Sequence, residues 1–164
     1  MAVVSNKSAA ITNRDASPRV RDEFNGKNVL VAKGTMEIAS GDSIASTYTF
    51  FDIPSNAQVL RLDIESDDVG TSTIANIGLY ETTANGGAVK DADHFASALS
   101  LKDGALSQNI AHESAVFGIE DAEKRLWEAL GDTSDANKSY DVTATLTAAA
   151  DAGGSVSLTC YYTV

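Results

Sequence analysis

Apolar and polar residues alternate along much of the chain after residue 28. The clearest stretch is 58–65, where Leu60, Leu62 and Ile64 point to one side and charged residues to the other. A period of two residues is typical of a β-strand with one buried face. Similar patterns predict further strands at 28–38, 44–51, 74–81, 140–146 and 156–164. Turn residues separate them, such as Pro-Ser-Asn at 54–56 and Asp-Ala-Gly-Gly at 151–154.

Two segments in the middle of the chain have a different pattern. Residues 91–100 could form a short helix or a helical turn, and 119–130 is the better helix candidate. In the second segment Leu126 and Trp127 fall near one face, and Gly131 follows as a stop signal. Strands with brief helical insertions predict an all-β protein, an antiparallel β-sandwich with one or two short helical insertions.

Length and composition narrow the class of protein. A chain of 164 residues suits one sandwich with a real hydrophobic core. Its net charge of −11 argues against nucleic acid or anionic membranes as partners. Apolar runs stay well below the roughly 20 residues of a membrane helix, and residues 1–15 lack the apolar region of a secretory signal. The single cysteine, Cys160, leaves no internal disulfide, which predicts synthesis in a cytoplasm.

The charge is divided unevenly along the chain. Residues 1–33 carry six basic and three acidic side chains, whereas 34–164 carry six and twenty. We therefore divide the chain into an extended N-terminal arm, 1–26, and a β-sandwich domain, 27–164. The arm is either a mobile tail or a segment that becomes ordered on a partner. In the second case the interacting residues would be Arg14, Arg19, Val20, Arg21 and Phe24.

Catalytic and metal-binding motifs are absent from the sequence. It has no G-x-S-x-G, no phosphate-binding loop and no dinucleotide fingerprint, so we expect neither an enzyme nor a cofactor. The two histidines and one cysteine do not have the spacing of a zinc site. Acidic residues between 63 and 68 could attract calcium, but a solvated strand end is the simpler interpretation. We expect Cys160 and Trp127 in the core and His94 partly exposed on a helix, with sugar stacking the alternative for Trp127.

Three segments carry a family resemblance: 50–62, 78–98, and 123–131 followed by 140–142. They read FFDIPSNAQVLRL, then GLY continuing to GGAVKDADHFASA, then EKRLWEALG followed by YDV. Together they resemble capsid cement, or decoration, proteins encoded among the head genes of short-tailed bacteriophages. The resemblance spans about residues 28–164 and leaves the arm outside it.

The resemblance implies a jelly-roll-like sandwich made in the cytoplasm of a bacterial host. Such a protein would bind the outer surface of the expanded capsid as a homodimer or homotrimer and clamp neighbouring major capsid proteins. The alternative is another virion surface module, a receptor- or carbohydrate-binding β-sandwich, because this architecture also carries such functions. That alternative predicts exposed aromatic rings on a concave face.

Overall fold

The computed structural model describes residues 11–12, 16–18, 28–102 and 105–164. Eight β-strands make up most of the described part after residue 28. Their bounds are β1 Leu30–Ile38, β2 Thr47–Pro54, β3 Gln58–Ser66, β4 Ile74–Glu81, β5 Val89–Ser100, β6 Leu106–Asn109, β7 Ser139–Ala148 and β8 Gly154–Thr163. Among the described residues after 28, helix is limited to 3₁₀ turns at Thr83–Asn85 and Ile119–Asp121 and to a one-turn helix, α1, at Leu126–Ala129.

The strands form two four-stranded sheets in which every pair is antiparallel. The first sheet has the order β1-β8-β3-β6 and the second has the order β2-β7-β4-β5. Every connection between successive strands crosses from one sheet to the other, except the one between β4 and β5. Two four-stranded antiparallel sheets of this kind make a β-sandwich. The prediction of an all-β antiparallel sandwich with short helical insertions is confirmed.

The core lies between the inner faces of the two sheets. Leu62 and Leu158 from the first sheet are fully buried, as are Ile77 and Val142 from the second. Burying each such side chain stabilises the fold by about 1.5–3 kcal/mol. Cys160 also lies in this core, fully buried on β8, and its predicted place is therefore confirmed.

Segment 91–100 is part of strand β5, so the prediction of a helix there is wrong. Along β4, Ile77 pairs with Ala96, but Leu79, two residues on, pairs with Asp91. Three extra residues of β5 therefore bulge out opposite Gly78. This bulge removes the period of two from the sequence of β5 and buries His94, Phe95 and Ala96 in succession. His94 is fully buried rather than partly exposed.

The helix predicted over 119–130 is broken into two pieces. Arg125 has an extended backbone, with φ −74° and ψ 156°, between the 3₁₀ turn and α1. The backbone N–H groups of Leu126 and Trp127 donate to the carbonyl oxygens of Ala57 and Ser55, at 2.9 and 3.0 Å. These bonds to the β2–β3 turn fix where the helix begins, a tertiary constraint that helical periodicity does not reveal. Ile119, at the start of the predicted helix, is 80% exposed.

Strand β3 departs from its predicted alternation at one residue. Leu60 was expected to face the core with Leu62 and Ile64, but it is 40% exposed. The register shows the cause, because Val59 pairs with Tyr162 and Arg61 pairs with Tyr161, which leaves Leu60 as an extra residue. Such a β-bulge places two residues opposite one and redirects a side chain. Leu60 thereby joins the surface beside Arg61.

The two ends of the sandwich differ in how they are closed. At one end the carboxylate of Asp151 accepts hydrogen bonds from the Thr71 backbone and hydroxyl and from the Ser72 backbone. These bonds lower the pKa of Asp151 to about 2 and join the β7–β8 turn to the β3–β4 loop. At the other end β1 begins and β8 ends.

Candidate functional site

The five arm residues predicted to contact a partner lie outside the described residues. These are Arg14, Arg19, Val20, Arg21 and Phe24. Their contribution, and the division of the chain at residue 26, therefore stay predictions. The described chain resumes at Asn28, two residues before β1, and Asn28 itself is exposed.

Several exposed apolar side chains lie near the start of β1, the bulge of β3 and the end of β8. Val29, Val31 and Val164 are 53%, 58% and 48% exposed, and Leu60 is 40% exposed. We call these four residues and the half-buried Tyr161, all near the start of β1, the bulge of β3 or the end of β8, the terminal patch. Apolar side chains that are exposed together, rather than singly, mark interaction surfaces.

The strand register places the centre of the terminal patch in one row. Val31 on β1 pairs with Tyr161 on β8, which in turn pairs with Arg61 on β3. Neighbouring strands lie about 4.8 Å apart, so the row is about 10 Å long. The Arg61 guanidinium donates to both carboxylate oxygens of Asp63, at 2.7 Å each. Because the positive charge of Arg61 is already paired with Asp63, the apolar side chains are the part of this surface whose exposure to water is not compensated.

Sequence reasoning missed the terminal patch because alternation placed Leu60 inside. One signal could have indicated it. Val29, Leu30 and Val31 are three successive apolar residues, and a strand with one buried face cannot turn all three inward. The alternation that places Leu30 on the inner face of β1 therefore leaves Val29 and Val31 facing outward.

The rest of the outer face of the first sheet is polar. Hydroxyl groups occupy the next rows, where Thr35 donates to Ser157 at 3.0 Å and Ser155 donates to Glu37 at 2.8 Å. Lys33 lies 4.0 Å from Glu65 across the same face. These side chains form hydrogen bonds and an ion pair with one another, in contrast to the apolar side chains of the terminal patch.

The acidic side chains between 63 and 68, considered above as a calcium site, each bind a different partner. Asp63 binds Arg61, and Asp68 accepts a hydrogen bond from Gly70. Asp67 accepts one from the Ser155 backbone. Within the described ranges, no group of three or more histidine, cysteine or acidic side chains is placed to hold a metal ion.

A stack of aromatic rings fixes the β6–β7 segment onto β5. The ring of Phe117 lies between two imidazoles, with centroids 5.0 Å from His94 and 4.9 Å from His112. Phe95 contacts Phe117 edge-on at 5.8 Å. The Ser114 backbone N–H donates to the Phe95 carbonyl at 2.8 Å. The segment thus covers part of the open edge of β5, the outermost strand of the second sheet.

His94 is the buried titratable group of this stack. Its Nδ1 lies 2.9 Å from the Asp91 carboxylate, whereas its buried Nε2 has no hydrogen-bond partner. Burial lowers the pKa of His94 below its usual 6.5, although Asp91, Asp93 and Asp121 oppose the shift. The neutral ring, with its proton on Nδ1, is therefore the form that the fold favours.

We expect acid to weaken the fold through His94. Because its pKa is lower in the folded than in the unfolded chain, the unfolded chain takes up a proton first as the pH falls below 6.5. The contribution of His94 to stability is thus complete above pH 6.5 and is lost as the pH falls toward the folded pKa. An NMR titration of the two histidines, assigned with His112→Gln, checks this. A His94 signal that titrates at pH 6.5 or above would contradict it.

Cys160 and Trp127, considered above for reactivity and for sugar stacking, both lie in surroundings that favour a structural role. Burial raises the pKa of the Cys160 thiol to about 12, so the reactive thiolate is strongly disfavoured. Trp127 is half-buried beside Leu126 on α1, and its indole Nε1 is buried without a hydrogen-bond partner. Its ring is therefore less deeply placed than the core position that we expected.

Across the described residues, no helix is long and apolar enough to span a bilayer.

No protein-family model matches the sequence, and no curated protein gives a significant match. The fold, however, is similar to that of solved chains. A chain from the capsid asymmetric unit of cyanophage Pam1 has a TM-score of 0.56 and 20% identity, with 99% of each chain covered. A chain from the capsid of Ralstonia phage GP4 also has a TM-score of 0.56, at 13% identity, covering 89% of this chain and 91% of that chain.

A third similar chain comes from the acidic stable capsid structure of Helicobacter pylori bacteriophage KHP30. Its TM-score is 0.43 at 17% identity, covering 84% of this chain and 90% of that chain, and no argument below depends on it. At these identities the similarity establishes the fold. The chain therefore has the fold of a bacteriophage capsid chain, which confirms at the level of structure the resemblance noted in its sequence.

Proposed function

We propose that this protein is a structural component of a bacteriophage virion that binds the outer surface of the expanded capsid and clamps neighbouring major capsid proteins. The observation that carries the proposal is the shared fold with chains of two phage capsids, matched over about nine-tenths or more of each chain. Fold alone does not determine function, so the surface of the molecule has to support the same conclusion.

The described surface suits a binding role better than a catalytic one. The buried Cys160 has a raised pKa, and the acidic side chains between 63 and 68 are engaged separately. The terminal patch, by contrast, is apolar, exposed and next to the arm. A protein that acts by contact needs such a surface and does not need a reactive group.

Carbohydrate binding, the alternative considered from the sequence, has less support. Sugar-binding modules need aromatic rings open to solvent on a concave face. In the part of the chain that the structure describes, every phenylalanine, tyrosine and tryptophan ring is buried or half-buried. The described surface therefore offers no fully exposed ring on which a sugar could stack.

The proposed mechanism is stabilisation by mass action. A ligand that binds the expanded shell and not its dissociated subunits stabilises the shell, by about 2.7 kcal/mol per site at a free concentration of 100 Kd. A dimer or trimer would raise the effective affinity because its copies engage neighbouring sites together. Arg14, Arg19 and Arg21 would contact acidic groups of the capsid as bidentate donors. Val20 and Phe24 would supply the apolar anchors of the arm.

Deletion of residues 1–25 tests the arm. We expect occupancy on purified expanded capsids to fall at least about tenfold at a fixed protein concentration, because the removed arginines and apolar anchors make part of the contact. Occupancy is measured by co-sedimentation and quantitative gel. The thermal rupture temperature of the capsid should fall in parallel toward that of undecorated shells.

The matched control replaces Lys102 and Lys124 with alanine, which removes positive charge from the sandwich and leaves the arm intact. This variant should bind like the wild type. The deletion variant should keep the melting temperature of the sandwich within a few degrees. Unchanged occupancy and unchanged rupture after the deletion would remove the arm from the proposal.

A further inference from the structure

We propose that the terminal patch is a second docking surface of the sandwich, and that it packs against the same capsid subunit that holds the arm. This inference rests on the proposed function and goes beyond it. It assigns part of the contact to Val31, Leu60 and Tyr161 of the folded body. The occupant of the patch is then an apolar surface of the capsid shell.

The length of the chain limits where the partner of the arm can lie. Phe24 precedes Val29 by five residues, which span at most about 18 Å when fully extended. Val20 precedes Val29 by nine residues, or at most about 32 Å. A capsid subunit that holds these anchors must therefore lie within reach of the terminal patch. The rest of the sandwich extends away from that point.

The exposed side chains indicate that something covers the patch. Val31 is 58% exposed in the same row as the half-buried Tyr161, and the β-bulge brings Leu60 to the surface beside them. The neighbouring polar rows are satisfied by their own hydrogen bonds, such as Thr35 to Ser157. The patch is thus the part of this face that gains most from the removal of water.

The size of the patch argues for a composite contact with the capsid rather than a self-contained dimer interface. A stable protein–protein interface uses about 20–30 residues on each side. The terminal patch has five: Val29, Val31, Leu60, Tyr161 and Val164. Alone it falls well short, so we assign it as one part of a larger contact with the capsid. Apolar side chains at the centre of such an interface often carry much of its binding energy.

The first test measures binding to expanded capsids assembled without this protein. In the patch variant Val31→Ser and Leu60→Ser are combined, and in the control variant Ile44→Ser and Val89→Ser are combined. The control pair is at least as exposed, at 63% and 58% against 58% and 40%, but lies elsewhere on the sandwich. We expect the Kd of the patch variant to rise at least about tenfold, while the control stays within twofold. Equal binding by the two variants would overturn the inference and leave the proposed function intact.

A second measurement does not depend on how the double variant folds. Maleimide labelling of Val31→Cys is compared between the free protein and protein bound to capsids, with Ile44→Cys as control. The natural Cys160 is fully buried and contributes little background. We expect capsid binding to slow labelling at position 31 at least tenfold and to leave position 44 unchanged. Equal labelling rates at position 31 in the free and bound protein would overturn the inference.

Two further outcomes separate the competing explanations. If position 31 is already protected in free protein that sediments as an oligomer, the patch is covered by a second copy and the capsid assignment is wrong. If the wild-type protein fails to bind the capsids, the proposed function and this inference both fall. Docking of the patch is supported when wild-type binding, the weakened patch variant and protection that depends on capsids occur together.

Discussion

Phe117→Ala is expected to lower the free energy of unfolding by about 3–5 kcal/mol, the usual cost of removing a fully buried phenylalanine. Phe117 is 0% exposed, and its ring contacts His94, His112 and Phe95. The alanine would leave a cavity in the stack that holds the β6–β7 segment on β5. We expect part of the loss to appear locally, as a loosened segment over the edge of that strand.

Urea unfolding measures the global effect, and hydrogen exchange at the Ser114 amide measures the local one. That amide donates to the Phe95 carbonyl, so its protection reports whether the segment is still in place. Val116→Ala is the matched control, because Val116 is in the same segment but is 48% exposed. Its cost should stay below about 1 kcal/mol. A loss below 1 kcal/mol for Phe117→Ala would contradict the assigned stack.

Gly78→Ala is expected to cost about 3 kcal/mol, at the upper end for an overpacked core. A Cβ at Gly78 would overlap the Asp91 carbonyl oxygen and the carbonyl group of Ala92. Both contacts are with the backbone of β5, which cannot rotate away as a side chain can. The methyl group would therefore push β4 and β5 apart where β5 bulges.

Gly118→Ala provides the same chemical change in different surroundings. Its added Cβ would approach the carboxylate of Glu120, which is the far end of an exposed side chain and can move aside. The backbone of Gly118 is extended, with φ −77°, so alanine fits there without strain. Thermal unfolding of the two variants should show a large loss for Gly78→Ala and little change for Gly118→Ala. Similar losses would contradict the close approach of β5 to β4.

The strands that the sequence predicted well are those with a regular period of two. Leu62 and Ile64 on β3 and Leu158 and Cys160 on β8 all face the core as expected. In β8, and in β3 beyond its bulge at Leu60, each residue has one partner across the ladder, so alternation along the chain becomes alternation across the sheet. The period of two is then enough to identify both the strand and its buried face.

The predictions from sequence are wrong where a contact between residues distant in sequence overrides the local pattern. Strand β5 bulges opposite Gly78 and loses its period, whereas α1 begins where Ala57 and Ser55 accept its first hydrogen bonds. The burial of His94 follows from the same bulge. No window of ten or twelve residues contains this information, because the partners lie more than ten residues away in each case.

The two parts of the candidate site, the arm and the terminal patch, differ in whether a local sequence pattern can indicate them. The charge asymmetry of the sequence predicts a basic arm with Arg14, Arg19 and Arg21, and because these residues lie outside the described ranges that part of the site stays a prediction. The terminal patch could not be found in the same way, because Leu60 reaches the surface through a bulge that depends on the pairing of β3 with β8. The run from Val29 to Val31 was the one local sign of it.

A density map of the expanded capsid bearing this protein tests the central claim most directly. The proposal predicts the sandwich on the outer surface of the shell, over a junction between neighbouring major capsid proteins. The terminal patch should face the shell, and density for residues 14–24 should lie along a capsid subunit. Sandwich density inside the shell, on the tail, or above a single subunit without touching its neighbour would contradict the clamping role.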